Sequence, residues 1–362
     1  MTTPGVSEEE AVFQKIEAFR RRQPRMTDEV VTLAHGAGGK ASAALFEAVF
    51  LPAWSNPHLE ARDDAAVLEL PGGDQVAFTT DSYVVKPRRF PGGSIGHLAV
   101  HGTINDLAVS GARPIALSTA FVLEEGFPIT ELRDIISDMA DAAAAAGVPI
   151  VTGDTKVVDR GAADGAYIAT TGIGIVPRGR KLAADRVRPG DVVICSGTIG
   201  DHGTAVMLAR GDLALEADIA SDTAPLHDLT ETLLAAAPST RWMRDATRGG
   251  VATVCNELAR AAGVSVVLHE SKLPVRAAVA AACELLGIDP LYVANEGKML
   301  AITAAEEAGA AVQALRSHPV GASATIIGEI SSEPPGLVVL VTPVGGTRIV
   351  DMLVGDPLPR IC

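Results

Sequence analysis

The sequence predicts a two-domain α+β protein, and three observations support this prediction. Strand-like runs with antiparallel-type patterning alternate with longer runs of helical period. A Pro- and Arg-containing stretch at 177–190 interrupts that order and is the expected domain boundary. The chain of 362 residues is long enough for two sizeable cores. Because aromatic residues make up only 4 % of the chain, those cores must be built mainly from Ala, Val, Leu and Ile.

The first domain is predicted to contain several strands and two long helices. The run QVAFTTDSYVV, at 75–85, is predicted as a strand. The helix that follows has Ser94 as a candidate N-cap and Gly111 as a candidate C-cap, and a second helix closes at Gly147. PIVTGDTKVV is predicted as a strand that runs into a polar turn. An Asp-Gly turn then precedes the alternating strand AYIATTGIGIV.

The second domain contains a similar mixture of elements. VVIC is strand-like, helices are predicted at 250–262 and around 274–287, and GLVVLVTP is predicted as a strand. The Gly/Pro-rich segment from 345 onward is expected to lie outside the core. The predicted divisions are an N-terminal extension, a first domain, a second domain and a C-terminal tail, at 1–32, 33–177, 178–344 and 345–362.

Net charge and cysteine usage argue against several classes of protein. A formal net charge of −14, without a basic stripe, argues against binding to a nucleic-acid backbone. No apolar run approaches the roughly 18–20 residues of a membrane-spanning helix, and the N-terminus lacks a secretory-signal pattern. Cys195, Cys255 and Cys283 lie in apolar runs and are expected to be buried. Without a disulfide framework or a zinc-type spacing, a reducing cytoplasm is the expected compartment.

The last nine residues, VGDPLPRIC, are predicted to form an extended arm. Pro357 and Pro359 restrict its conformations, Gly355 allows a pivot, and Cys362 ends it. A terminal residue has no chain beyond it to hold it in a core. Cys362 is therefore either incidental or a thiol that has to move.

Acidic side chains occur where a lone carboxylate would be costly. Asp81 lies inside an apolar strand, and Asp106 follows Asn105 inside an apolar helix. Because a buried carboxylate without a partner is strongly unfavourable, a divalent cation is the expected partner. Mg²⁺ binds few carboxylates together with phosphate oxygens, which suits an acidic protein that handles ATP. Taken singly, the other acidic positions also fit a cap, a turn or a solvated surface: Asp63, Asp64, Asp154 and Asp245.

Two glycine pairs precede predicted helices and are candidates for binding phosphate. HGAGGKA contains Gly38 and Gly39, and TRGGVAT contains Gly249 and Gly250. Glycine lets backbone N–H groups approach an anion, and the helix N-terminus adds a favourable dipole. Neither stretch has the spacing of a P-loop, so a P-loop ATPase is not predicted.

Six segments, taken in chain order, resemble the HypE family of hydrogenase maturation proteins, the carbamoyl dehydratases: FTTDSYVV, FPGGSIGHLAVHGTINDLAVSGARP, VTGDTKVVDRG, MRDATRGGVATVCNELA, DPLYVANEGK and the terminal PRIC. The resemblance extends from about residue 33 to the end. It implies an aminoimidazole ribonucleotide synthetase-like fold of two α+β domains, followed by a flexible C-terminal tail. It also implies a homodimer in which the N-terminal sheets pair into a barrel, with ATP bound by the first domain.

The resemblance implies an activity as well. Members of this family receive a carbamoyl group on the terminal cysteine from the carbamoyltransferase HypF. They dehydrate it with ATP to a thiocyanate, and the cyano group passes to iron on the HypC–HypD complex to become a cyanide ligand of [NiFe]-hydrogenase. By this resemblance Cys362 tethers the substrate, Lys156 polarises the oxygen and phosphate, and Glu296 removes protons from nitrogen.

The remaining site residues also follow from the resemblance, motif by motif. Mg²⁺ is expected to be bound by a subset of the aspartates Asp63, Asp64, Asp81, Asp106 and Asp245. The residues expected to bind ATP are His35, Gly36, Gly38, Gly39, Asp81, Asn105, Asp106, Asp154, Thr247, Arg248, Gly249 and Gly250.

Two other functions remain open at the level of sequence. A selenophosphate synthetase, from the same superfamily, would need a reactive Cys or selenocysteine near its N-terminus, and residues 1–50 contain no cysteine. A thiol carrier or iron-scaffold protein, in which ATP only switches the conformation, would share the terminal cysteine. ATP turnover that depends on a carbamoylated Cys362 distinguishes the dehydratase from this carrier.

Overall fold

The structure, a computed structural model, describes residues 26, 28–211, 217–355, 358 and 360–362. Most of the predicted N-terminal extension lies outside these residues, and so do Pro357 and Pro359. Within the described ranges, no helix combines the length and the apolar character needed to cross a membrane. Two large β-sheets organise the chain, one on each side of a linker at 177–191.

Five strands form the first sheet: β1 Ala66–Glu69, β2 Gln75–Tyr83, β5 Arg113–Glu124, β6 Ile150–Val158 and β7 Ala166–Val176, while β3 Arg89–Phe90 and β4 Gly93–Ser94 pair separately. Their order in the sheet is β1–β2–β7–β5–β6. All neighbours are antiparallel except β5 and β6, which are parallel. β6 is therefore an edge strand.

The helices of this half of the chain are α1 Lys40–Leu45, α2 Leu51–Trp54, α3 Pro57–Ala61, α4 Ile95–Val109 and α5 Ile129–Ala146, with a 3-10 turn at Leu33–Gly36 and a π-helical stretch at Phe46–Phe50. α4 is buried along almost its whole length because it lies between the sheet, α5 and the second domain. Gly147 ends α5 with φ 66°, as predicted. Ser94 occupies the N-cap position of α4, but its hydroxyl donates to Asp138 at 2.6 Å instead of capping the backbone.

The other face of the first sheet carries exposed apolar side chains. Phe78 and Ile173 are cross-strand partners and so share this outer face. Together with Val122 and Ile175 they are 36–45 % exposed. An apolar surface of this kind on a sheet is suited to packing against another surface.

The GDTK segment, predicted to form a polar turn, lies inside β6. Residues 153–156 pair in parallel register with residues 119–122 of β5. The polar side chains do not break the strand because an edge strand exposes its residues to solvent on several sides.

Seven strands form the second sheet: β8 Val192–Cys195, β9 Trp242–Asp245, β10 Ser265–His269, β11 Met299–Thr303, β12 Thr325–Ser331, β13 Val338–Val341 and β14 Thr347–Ile349. Their order is β14–β13–β10–β12–β8–β11–β9, with only β10 and β13 parallel. The helices are α6 Asp201–Ala209, α7 His227–Ala236, α8 Gly250–Ala262, α9 Ala277–Leu286 and α10 Ala308–Arg316, and short 3-10 turns lie at Ala184–Arg186, Glu270–Lys272, Pro290–Tyr292, Ala305–Glu307 and Pro319–Gly321. Cys195, Cys255 and Cys283 are buried in this domain, as expected.

The predicted start of the tail at 345 is too early. Residues 345–346 form a turn, closed by the Thr342 N–H donating to the Gly346 carbonyl at 2.8 Å, that folds β14 back onto β13. Val350, which follows β14, is fully buried. The glycines thus mark a hairpin turn inside the sheet rather than the point where the chain leaves the core.

Candidate active site

Three aspartates from different elements meet where the two domains adjoin. Asp64 precedes β1, Asp106 lies on α4 and Asp245 ends β9. One carboxylate oxygen of each lies within 4.8 Å of those of the other two. Thr79 on β2 donates its hydroxyl to Asp106 at 2.8 Å. Acidic oxygens at this spacing suit a hard divalent cation such as Mg²⁺.

Ionising all three aspartates of this triad at once is unfavourable, because the carboxylates are buried and repel one another. Burial raises the pKa of Asp64 to about 6, with Arg244 opposing the shift. Burial and the charges of Asp245 and Asp64 raise the pKa of Asp106 well above its usual range. The pKa of Asp245 is raised in the same way, by burial and by Asp64. A bound dication would offset this repulsion, so the donor set fits Mg²⁺.

Arg244 holds the loop that carries Asp64. Its Nε lies 3.2 Å from the Asp64 carboxylate, and its Nη1 donates to Glu257 at 2.6 Å. Its Nη2 donates to the carbonyl of Arg62 at 2.6 Å. Asp63 is exposed, with its carboxylate 3.8 Å from Arg244, and it lies outside the triad. Arg244 therefore fixes one triad member across the domain junction.

A cavity of about 700 Å³ lies next to this loop, between β1 and the linker. Asp63, His58 and Arg178 are among the residues that line it. Neither the triad nor Cys362 lines it. The groups with catalytic potential thus lie outside this cavity.

The C-terminal tail returns to the first domain and pairs with the residues that follow β2. A main-chain carboxylate oxygen of Cys362, the last residue, accepts from the Val84 N–H at 3.1 Å, and the carbonyl of Arg360 accepts from the Lys86 N–H at 3.2 Å. The order of these two bonds is that of an antiparallel pair. The end of the chain is therefore held by backbone hydrogen bonds to the first domain.

Side chains from both domains hold the same segment. Arg360 Nη1 donates to Asp164 at 2.5 Å. His202 Nε2 lies 3.0 Å from the carbonyl of Ile361, and because a carbonyl only accepts, the imidazole proton is on Nε2. Leu358 and Ile361 are buried in an apolar cluster with residues of α6 and α9. The tail is docked through its backbone, one ion pair and two apolar side chains.

The docked tail brings Cys362 within charge range of Arg248. Negative charge on Cys362, the last residue, is the largest influence that raises the pKa of Arg248, and the charges of Asp81 and Glu296 act in the same direction. Arg248 Nη1 also donates to the carbonyl of Gly36 at 3.2 Å. Arg248 thus connects the first glycine-containing loop to the terminal cysteine.

Glu296 is a buried acid with an unsatisfied oxygen. It is 3 % exposed, and within the described part of the chain its Oε1 has no hydrogen-bond partner. Burial, followed by the charges of Asp245, Asp81 and Asp222, raises the pKa of Glu296 well above its usual range, while Arg248 opposes the shift. A carboxyl group in this state is a candidate for proton transfer.

The two glycine-containing loops adjoin this region. His35 is buried, and its Nδ1 accepts from the Thr32 N–H at 2.9 Å. In the second loop Gly249 and Gly250 have φ of 73° and 58°, which glycine adopts without strain, and α8 begins there. Thr247 lies between Asp245 and this helix N-terminus, whose partial positive charge favours phosphate.

Lys156 and Asp154 lie elsewhere, on the outer face of the first sheet. The Lys156 ammonium is 2.8 Å from Asp154, and both side chains are more than half exposed. The register pairs Lys156 with Val122, which places the lysine on the face that carries the exposed apolar residues. Among the described residues, the ion-pair partner of Lys156 is therefore Asp154.

Asn105, which was predicted to bind ATP, joins the two domains. Its amide donates to the carbonyls of Ala224 at 3.1 Å and Glu296 at 3.2 Å, and its oxygen accepts from the Leu226 N–H at 2.8 Å. Because it is 1 % exposed and both of its N–H groups are used, its side chain acts as a structural bridge.

Comparison with known proteins identifies the family. The family model "AIR synthase related protein, N-terminal domain" matches residues 62–176, and its C-terminal counterpart matches 188–340. The carbamoyl dehydratase HypE of Rhodobacter capsulatus is 55 % identical over 339 residues, covering 93 % of this chain and 99 % of the relative. The chain belongs to the carbamoyl dehydratase HypE family.

Two solved HypE structures have the same fold. The chain in a crystal structure of a HypE–HypF complex is 46 % identical, with a TM-score of 0.81, and the match covers 86 % of this chain and 100 % of the other. A HypE in complex with ATP is 45 % identical, with a TM-score of 0.77 and coverage of 92 % and 100 %. The two-domain fold that the resemblance implied is confirmed.

Sequence reasoning missed four residues in and around this site. Tyr83 is fully buried two positions beyond Asp81 on the same face of β2, so strand alternation offered a signal for it. Arg244 directly precedes Asp245. His202 and Asp222 had no local signal, because their partners in the tail and around Glu296 are distant in the chain.

Proposed function

We propose that this protein dehydrates a carbamoyl group on the sulfur of Cys362 to a thiocyanate, with conversion of ATP to ADP and phosphate. The observation that carries the proposal is the docked tail. Backbone and side-chain contacts hold the terminal residues against both domains, within charge range of Arg248, which is also within charge range of the buried carboxyl of Glu296. A chain end that brings its own thiol into a cluster of ionisable groups fits a tethered substrate.

The proposed reaction removes the carbamoyl oxygen and both protons on nitrogen, and leaves the S–C bond intact. Because oxygen is a poor leaving group, it leaves as phosphate, with ATP as the phosphoryl donor. As the C–O bond breaks, electron pairs from the two N–H bonds form the second and third C–N bonds. The site therefore needs a base beside nitrogen and positive charge beside phosphate.

Glu296 is the proposed base. Its buried carboxyl has an unused oxygen, and a raised pKa makes its ionised form a stronger proton acceptor than an ordinary glutamate. Arg248 is proposed to hold the docked tail and the phosphate, because it contacts the first glycine-containing loop and interacts with Cys362.

Mg²⁺ and ATP are proposed to bind where the domains adjoin. Asp64, Asp106 and Asp245 would hold Mg²⁺, which supplies positive charge to the phosphate groups. Backbone N–H groups of the loops at 36–39 and 247–250 would bind phosphate oxygens. Asp81 lies within charge range of Asp245 and Arg248 and would lie between the metal and the tail.

A homodimer is proposed in which the outer faces of the first sheets pack into a barrel. Four apolar side chains exposed on that face support it, because an exposed apolar patch on a sheet is suited to packing against another surface. Lys156 lies on this face. We propose that Lys156 acts on the carbamoyl group carried by the other protomer, polarising its oxygen and the phosphate.

The partners are proposed by the same reasoning. A carbamoyltransferase of the HypF type would load Cys362, and an iron scaffold of the HypC–HypD type would accept the cyano group. Because loading, dehydration and delivery occur at different proteins, the tail beyond residue 350 is proposed to be mobile and to dock only for dehydration. Residues 33–177 would then serve ATP binding and dimerisation.

Intact-mass analysis of the terminal peptide tests the proposed function. Protein carbamoylated by the transferase system and then given MgATP is expected to lose the mass of one water from the peptide that ends in Cys362. Cys362→Ala should bind ATP without accepting carbamoyl. A tail that never loses water, or carbamoyl on Cys195, Cys255 or Cys283 in the variant, would contradict the proposal.

A further inference from the structure

Residues 221–226 form a segment between the two domains, which we call the strap. The Ser221 N–H donates to the carbonyl of Pro91 at 2.8 Å, and Thr223 Oγ1 lies 3.0 Å from His101 Nδ1. The bonds of Asn105 to residues 224 and 226 hold its other end. The first domain therefore fixes the position of the strap.

Asp222 in the strap holds the backbone of the Glu296 turn. One of its carboxylate oxygens accepts from the Glu296 N–H at 3.1 Å, and the other accepts from the Gly297 N–H at 3.2 Å. Two consecutive backbone donors on one carboxylate define the orientation of a turn. The two bonded N–H groups belong to Glu296 and to the next residue, so Asp222 orients the backbone on both sides of the proposed base.

A buried lysine and a glycine stabilise the contact between Asp222 and this turn. The Lys298 ammonium lies 3.3 Å from the Asp222 carboxylate, and both side chains are buried. A Cβ on Gly297 would collide with the carbonyl oxygen of Asp222, so the turn and the strap approach as closely as glycine permits. The Lys298 charge offsets the cost of burying a carboxylate here.

Ser221, the strap residue next to Asp222, bonds to the histidine that holds the docked tail. Ser221 Oγ donates to His202 Nδ1 at 2.8 Å, and His202 Nε2 donates to the carbonyl of Ile361, next to Cys362. Two adjacent strap residues therefore have different contacts. Ser221 supports the docked tail by way of His202, and Asp222 holds the turn that contains Glu296.

We propose that Asp222 is a positioning residue for dehydration, whose carboxylate orients the Glu296 turn so that the base faces the docked tail. This inference rests on the proposed function of Glu296. Asp222 does not contact the carbamoyl group, so its effect appears in the chemical step and not in loading of the tail or in ATP binding.

Asp222→Asn in the full-length chain tests the inference. An asparagine oxygen can accept only where one carboxylate oxygen did, so one of the two N–H groups loses its partner. For carbamoylated protein given MgATP, the dehydration rate constant is expected to fall about tenfold or more, the order for a lost charge-assisted hydrogen bond. The apparent KM for ATP and the extent of carbamoylation should stay at wild-type values. Amide hydrogen exchange should accelerate in peptides covering residues 293–299.

Asp218→Asn is the matched control, because Asp218 is exposed shortly before the strap. It should behave as wild type in every measurement. A wild-type dehydration rate in Asp222→Asn overturns the inference, and so does an equal change in rate, KM and carbamoylation, which indicates a general structural defect.

If Asp222→Asn does not fold, Asp222→Ser, which keeps a short acceptor, is judged by the same criteria. Failure of both variants to fold assigns Asp222 to folding and overturns the inference. Wild-type protein that loses no water from its tail refutes the proposed function instead, so the two failures are distinguishable.

Discussion

Glu296 and Lys156 present charge in two contrasting environments. Glu296 is 3 % exposed in a turn held by the strap, and within the described residues its Oε1 has no partner. Lys156 lies on an edge strand with its side chain 71 % exposed and an ion pair to Asp154. The surroundings of Glu296 come from one protomer, whereas those of Lys156 are open to a second chain.

The physical difference lies in solvation. Burial raises the pKa of Glu296, and three neighbouring carboxylates add to the shift, so folding itself prepares the base. Water screens the ion pair of Lys156, which therefore contributes little in the protomer. The proposed base is formed by the tertiary structure of one chain, whereas Lys156 is proposed to enter a water-excluded site only through contact with a second chain.

Replacing the base should have the largest effect. Glu296→Gln is expected to lower the dehydration rate about 10²–10⁴-fold, the usual contribution of general base catalysis. Loading of Cys362 should remain, because the tail accepts carbamoyl away from this turn. A time course of intact mass should show carbamoyl persisting on the variant. Normal dehydration would remove Glu296 from the role of base.

Lys156→Ala should lower the dehydration rate about 10²–10³-fold, the order for losing one group that stabilises developing charge. Mixed dimers of Lys156→Ala with Glu296→Gln test whether Lys156 acts across the interface. One site of such a dimer then contains both wild-type residues. Heterodimers isolated with two affinity tags should regain about half of the wild-type activity if each site uses one residue from each chain.

Inactive heterodimers would place Lys156 and Glu296 of one chain in the same site. A protein that sediments as a monomer at working concentrations would contradict the proposed barrel. Either result would contradict the view that Glu296 needs only its own chain whereas Lys156 acts at the site of a second chain.

Removing the buried carboxyl should also change the pH dependence of stability. Below its ordinary pKa of 4.5, Glu296 is protonated in both the folded and the unfolded chain and has no differential effect. Above that pH the unfolded chain ionises while the folded state retains the proton, so this group destabilises the fold increasingly until its raised pKa is reached. In the absence of ligands, the melting temperature of Glu296→Gln should equal that of the wild type near pH 4 and exceed it near pH 8.

The expected difference at pH 8 is about 2–4 °C for each kcal/mol relieved. Differential scanning fluorimetry from pH 4 to 8 measures it. A difference in melting temperature that stays constant across this range would show that Glu296 does not have the raised pKa.

The smallest effect is expected for Asp154→Asn. An exposed ion pair contributes at most about 1 kcal/mol, so denaturant unfolding should change little. If the only role of Asp154 is its ion pair with Lys156, the dehydration rate of the variant should stay close to that of the wild type. A loss of rate as large as that of Lys156→Ala would assign Asp154 its own part in binding ATP.

Much of the fold follows from local pattern. The helix predicted at 250–262 appears with those bounds, because its apolar period and the glycines at both ends are local signals. β14 was missed because a strand of three residues after a Gly-Gly turn has too little period to detect. The GDTK segment was misjudged because polarity predicts a turn, and only the sheet order reveals an exposed edge strand.

The site was predicted unevenly for the same reason. Asp106 was identified as needing a partner because a carboxylate within an apolar helix is costly wherever that helix packs. Nothing local separated Asp63 from Asp64, although only Asp64 joins the triad. Asn105 was expected to bind ATP from the resemblance of its motif, and no local signal indicated that its side chain also bonds to the strap.

By itself the sequence determined the alternation of strands and helices, the burial of three cysteines, and the presence of a thiol on the last residue. These depend on hydrophobic period and on the chain end, which are local properties. Only the tertiary structure decided which aspartates meet, that His202 bonds to the carbonyl of Ile361, and that Asp222 holds the Glu296 turn. Those contacts join residues far apart in the chain, and their geometry is set by how the two sheets and α4 pack together.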